Sequence, residues 1–251
     1  MSRLARPIRR LVAAVIALPW FAACGDGGVA EKPPERIVLV VVDTLRRDFL
    51  SAYGSKNATP RLDALAERGQ LYAKYTASFH QTSMSMGSLF TGRTPSVERD
   101  RADRTLAWNS STWCGLQRFA RPGDPASCIP SSVPTLADKL RAAGYATIGV
   151  ASNQFVYEPS GFSRGFDDWV EVGKKPTKPG PLDRLALPDA AKTRYFALVN
   201  RAALQAVERR ASDRFFLYVH YMDVHDYGGY RAGRYAKAVR SVDWAIGHLL
   251  D

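Results

Sequence analysis

Residues 36–42, RIVLVVV, form an unbroken aliphatic run with no polar alternation. A strand with one face in water alternates apolar and polar residues. A run without alternation is covered on both faces, as in a parallel sheet flanked by helices. Similar strand signals recur at 71–77, 145–151 and 214–221 (RFFLYVHY). Between them lie helix signals. Thr59 as N-cap, Pro60 at the first helical position and Gly69 as terminator bracket a helix with Leu62, Leu65 and Ala66 on its apolar face. Residues 85–91 end at Gly92, 135–143 are closed by Gly144, and 189–211 read as a longer helix. Tyr235, Val239, Val242, Ile246 and Leu249 share one face of a last helix. Alternating strands and helices predict an α/β fold with a largely parallel sheet. Residues 96–131 are polar and irregular and read as an insertion, and 152–188 as loop-rich.

The first 23 residues are set apart from the fold. Arg3, Arg6, Arg9 and Arg10 form a positive region, and Leu11 to Ala23 is apolar but short for a membrane span. Small residues then precede Cys24, the pattern of a bacterial lipoprotein signal whose cysteine is lipidated. An ordinary cleaved signal with a chance cysteine is the alternative. Residues 24–35 read as a tether before the catalytic-type domain at 36–251. The reading implies an exported protein, lipid-anchored at the periplasmic or extracellular face of a bacterial envelope. The net charge of +11 raises nucleic acid as a partner. The basic residues are scattered, however, and an exported chain rarely meets nucleic acid; an anionic lipid or substrate fits better. Cys114 and Cys128 flank a Gly/Pro-containing stretch in a compartment that permits disulfides, so a bridge closing this loop is expected.

Ligands in open α/β sheets gather beyond the carboxyl ends of the strands. Asp43 ends the first strand, where a carboxylate holds a cation or caps the next turn. Thr82, Ser83 and Ser85 follow the second, near a helix start suited to an oxyanion, though each alone reads equally as a cap or turn residue. His220, Asp223 and His225 end RFFLYVHY and its continuation; they suit a metal or an anionic group, while a lone histidine there is more often structural.

Together these segments resemble the sulfatase family of the alkaline-phosphatase-like superfamily. DTLRRDFLSAYG (43–54) is similar to its opening metal-binding loop, TPRLDALAERG (59–69) to its first helix and SMSMGSLFTGRTP (83–95) to its nucleophile helix. GYATIGVASNQF (144–155), GFSRGFDDW (161–169) and FLYVHYMDVH (216–225) continue the series. The resemblance implies roles by position. Thr82 stands where the nucleophile belongs, nine residues before Thr91 of Leu-Phe-Thr-Gly-Arg. Family members carry cysteine or serine there, matured to an aldehyde that threonine cannot give. Asp43 matches the first metal-binding aspartate, and Thr44 replaces the second. His225 falls near the histidine that contacts the transferring group. Asn153 falls near a lysine that reaches sulfate. Met84 and Met86 replace a proline and an arginine, and Ser85 keeps its place. The implied substrate-binding residues are Asn153, His220 and Ser85.

The resemblance implies metal-assisted ester hydrolysis with one divalent cation (Ca, Mn or Zn) held by Asp43 and Thr82. Thr82 would attack sulfur or phosphorus, and His225 would stabilise the transferring group or protonate the leaving oxygen. Threonine at this position favours phosphoryl or phosphonyl over sulfuryl substrates. The family's later Asp-His-Gly or Asp-Asn-Gly segment has no counterpart here, and the sequence reads as interrupted before a further strand. The alternatives are a catalytically inactive binding protein, a phosphodiester or phosphonate hydrolase, and an envelope headgroup transferase of the same superfamily.

Overall fold

Among the described residues, four parallel strands carry the fold in the order β1-β4-β2-β3: β1 (Arg36–Val42), β2 (Ala146–Ala151), β3 (Asp168–Glu171) and β4 (Phe215–Tyr221). A computed structural model describes residues 33–96, 113–125, 127–173, 195–210, 213–225 and 232–251. The signal segment with Cys24, nearly all of the tether, much of the 96–131 insertion and the KKPTKPGP stretch lie outside the described residues.

β4 is buried along its whole length, and its period-2 alternation divides the core. Phe215, Leu217, Val219 and Tyr221 pack with α4 (Tyr195–Glu208) and α5 (Ala232–Leu250). Phe216 and Tyr218 face the other side. There they meet Met86 and Phe90 of α2 (Thr82–Thr91) and Ala137 of α3 (Leu136–Ala142). The sheet thus has helices on both faces, as the first strand implied.

Local signals explain several boundaries. Thr135 caps α3 in a reciprocal box, accepting from the Asp138 amide at 3.1 Å while Asp138 accepts from the Thr135 amide at 2.8 Å. Thr59 holds the N-cap position of α1 (Pro60–Arg68), but its side chain turns to Ser51. The cap comes instead from Asp243 of α5, which accepts from the amides of Leu62 (2.8 Å) and Arg61 (3.4 Å). Cys114 and Cys128 are disulfide-bonded with Cα atoms 5.0 Å apart, and both are fully buried beside α2.

Two expectations are corrected. Residues 71–77 are not a strand. Their aromatic and β-branched composition suits a pleated surface, but Leu71, Tyr72 and Tyr75 are exposed and no strand among the described residues pairs with them. Side chains take up their carbonyls: Arg47 Nη1 donates to Ala73 O at 2.6 Å and the Tyr53 hydroxyl to Tyr72 O at 3.0 Å. Conversely, β3 lies inside the stretch read as loop. It has four residues of mixed polarity at the sheet edge, where short strands are the rule.

Candidate active site

Parallel pairing sends the carboxyl ends of β1, β2 and β4 to one rim, and the register aligns them. His220 pairs with Val41 on one side and Ala151 on the other. Asp43 and Asn153 each lie two residues beyond those partners, so period 2 turns both towards the face that carries His220. The Asp43 amide extends the ladder by donating to Tyr221 O at 2.9 Å.

Asp43 Oδ2 is the meeting point. Asn153 Nδ2 donates to it at 2.7 Å, the Thr82 hydroxyl donates to it at 3.3 Å, and His220 Nε2 stands 3.3 Å away. Oδ1 receives no hydrogen bond from a described residue. Thr82 is the first residue of α2, three residues earlier than the expected helix start. The boundary lies there because Ser85 N already bonds to Gln81 O at 2.9 Å. Thr82 therefore sits where first-turn amides have no intrahelical acceptor and the helix end is positive.

His220 has no exposed surface, and the Asp43 side chain keeps only 10% of its own. The Tyr218 hydroxyl lies 2.9 Å from His220 Nδ1. Burial, and then the Asp43 charge, push the Tyr218 hydroxyl far above its ordinary pKa, so it stays protonated. Nε2 of the same ring faces Asp43. Burial alone would raise the Asp43 carboxyl. The hydrogen bond and charge of His220, the charge of His225 and the Thr82 hydroxyl outweigh it and hold Asp43 below its ordinary value.

Ser85 lines the same cavity of about 700 Å³ as Asp43, Thr82 and His220. Asn153 is buried and fully occupied. Its amide nitrogen also meets Met222 Sδ at 3.1 Å, and its carbonyl oxygen accepts from Phe155 N at 2.8 Å. His225 is exposed in a turn closed by its amide on Met222 O at 2.9 Å; it lines an adjoining pocket with Asn153 and does not bond to Asp43. Sequence reasoning missed Tyr218 and Ser152. Tyr218 was within reach, since period 2 along β4 puts it on the face of His220. Ser152, whose hydroxyl holds His220 O at 2.7 Å, carried no such signal.

The donor set fits a divalent cation in kind, since hard cations take carboxylate and hydroxyl oxygens. It does not suffice in number. Among the described residues, no group of three or more His, Cys, Asp or Glu side chains could hold a metal ion. Asp43 and Thr82 account for two positions.

A family model for sulfatases matches residues 35–251. The chain belongs to the sulfatase family. Members of this family generally use a divalent metal. A sequence relative is human N-acetylgalactosamine-6-sulfatase, 27% identical over 261 aligned positions that cover 90% of this chain and 48% of that protein. The chain spans about half the length of the curated relatives it matches. Among solved structures, a Bacteroides thetaiotaomicron protein described for glycosaminoglycan metabolism aligns with a TM-score of 0.61 at 20% identity, over 86% of this chain and 58% of that one. An alkaline phosphatase superfamily protein from Vibrio parahaemolyticus aligns with a TM-score of 0.56 at 22% identity, over 86% and 49%. At such identities the structural likeness speaks to fold alone. The fold of this sulfatase-family chain is accordingly the parallel, helix-flanked architecture that these two structures share with it.

Proposed function

We propose that this chain carries the nucleophile side of a site that cleaves sulfate or phosphate-type esters, with Thr82 as the attacking group. The hydrogen bond from Thr82 to Asp43 Oδ2, formed at a helix start on the carboxyl rim of the sheet, carries the reading.

In this mechanism Asp43 orients the Thr82 hydroxyl and accepts its proton. Oγ1 bonds to sulfur or phosphorus in line as the ester bond to the leaving oxygen breaks, giving a covalent intermediate that water then cleaves. The first-turn amides of α2 face the charge that grows on the non-bridging oxygens. His225, exposed at the pocket rim, is the proton donor for the leaving oxygen. His220 and Asn153 hold Asp43 in place, and Ser85 lines the substrate cavity. Asp43 and Thr82 would supply two of the ligands of a divalent cation, which would lower the hydroxyl pKa and neutralise the ester oxygens.

Threonine has one hydroxyl and no aldehyde hydrate, so its ester cannot be expelled by a neighbouring oxygen and needs a second displacement. That favours phosphoryl or phosphonyl esters over sulfate esters. The basic and apolar segment ending at Cys24 supports export and lipid anchoring at the bacterial envelope.

The test assays the full-length protein against paired aryl phosphate and aryl sulfate esters with Ca, Mn and Zn varied. Cation-dependent turnover, faster for phosphate and lost in Thr82→Ala, is the expected result. Undiminished turnover by Thr82→Ala overturns the nucleophile assignment.

A further inference from the structure

Thr44, directly after Asp43, is the one non-glycine among the described residues with a positive φ, at 56°. A β-branched side chain is crowded in that region, where glycine and asparagine are the usual residents. Nothing local explains the choice: the Thr44 side chain is exposed, and its hydroxyl makes no hydrogen bond to a described residue. Such a conformation persists only where surrounding structure over-determines it.

Leu45 anchors the turn in the core, and one hydroxyl from a distant helix holds its backbone on both sides. Tyr235 of α5 donates to Thr44 O at 2.7 Å and accepts from Arg46 N at 2.8 Å, so a single oxygen closes the turn over both backbone groups. The ring is 6% exposed and packs edge-on against Phe49, with centroids 4.7 Å apart. On the other side of the turn, the Asp43 amide is bonded to Tyr221 O. Asp43 is thus set between the last rung of the sheet and a turn held from α5.

We propose that Tyr235 is a positioning residue that clamps the turn at 44–46 in its strained geometry and thereby aims the Asp43 carboxylate at Thr82 and the cation. The inference rests on the functional reading above. It also separates two roles that packing alone confuses. If the hydroxyl merely stabilises the fold, losing it weakens the protein whatever residue stands at 44. If it enforces the positive φ, a residue that adopts that φ freely makes the hydroxyl dispensable. Glycine is that residue.

The experiment titrates the full-length protein with calcium, manganese or zinc chloride alone and reads cation affinity by calorimetry. Tyr235→Phe keeps the ring and its packing and removes only the oxygen. The expected result is cation binding weakened about tenfold, the range seen when an outer partner of a metal ligand is lost. Thr44→Gly alone binds like the wild type, and Thr44→Gly combined with Tyr235→Phe recovers most of the loss. Wild-type affinity in Tyr235→Phe overturns the proposal, and so does a double variant as weak as Tyr235→Phe. Absence of cation binding in the wild-type protein contradicts the functional reading instead. The clamp is then decided by the crystal structure of Tyr235→Phe: Thr44 leaving positive φ with Asp43 drawn away from Thr82 supports it, and an unchanged turn overturns it.

Discussion

Asn153 Nδ2 donates to Asp43 Oδ2 at 2.7 Å, although the two residues are 110 positions apart and follow different strands. β4 makes the meeting possible. It lies between β1 and β2, and its His220 pairs with the residue two before each of them. The amide of Asn153 and the imidazole of His220 therefore converge on one carboxylate oxygen. Asp43 is held charged in a nearly closed site by geometry that the sheet itself sets.

That arrangement gives a pH signature. The folded pKa of Asp43 lies below its unfolded value, so its contribution to stability is complete above the ordinary carboxylate range and is lost as pH falls through the depressed folded value. Asp43→Asn should cost about 1–3 kcal/mol near neutral pH, since it leaves a buried imidazole facing an uncharged partner. The difference between wild type and variant should shrink below about pH 4. Urea titrations at stepped pH check this; a difference that grows on acidification contradicts it.

Gly149 in β2 makes room for an aromatic stack. A Cβ there would collide with Trp169 Cε3 and lie 2.6 Å from Cζ3. Trp169 stacks on Tyr218 with planes 6° apart and centroids separated by 6.3 Å, and Tyr218 holds His220. Gly149→Ala should lower stability by about 1–3 kcal/mol through overpacking. Thermal melts provide the check, and an unchanged Tm counts against this packing.

The Cys114–Cys128 bridge closes a loop of sequence separation 14 and backs α2 directly, with Cys114 atoms 3.1 Å from where a Gly87 Cβ would stand. Replacing both cysteines by serine should cost about 3 kcal/mol, the loop-closure value for this length. Denaturant unfolding of the double variant measures it. A midpoint equal to that of the wild type would show that the bridge adds nothing.

Lipid anchoring has its own test. Cys24→Ser should move the full-length protein from the membrane fraction to the soluble exported fraction, and continued membrane retention contradicts the anchor.

Much of this was legible in the chain. The unbroken RIVLVVV and RFFLYVHY runs mark strands covered on both faces, and each leads to a site residue, Asp43 or His220. The 71–77 stretch shows the limit of that logic. Composition says which residues suit a sheet but not whether a partner strand lies beside them. β3 shows the converse, since DWVE carries little signal and gains its identity from pairing with β2. Thr82 was placed by its spacing from Thr91, whereas the helix start at the same residue was not. The turn after Asp43 lay furthest from view. Nothing near Thr44 announces a positive φ, because the hydroxyl that holds it comes from Tyr235, 191 residues away.

The most direct test of the central claim is mass spectrometry of the full-length protein quenched during turnover of an aryl phosphate or aryl sulfate ester. The expected result is a phosphoryl or sulfuryl group on Thr82, absent from Thr82→Ala, whose hydrolysis is abolished while its melting curve is kept. Turnover with Thr82 unmodified, or a transferred group found on another side chain, would contradict it.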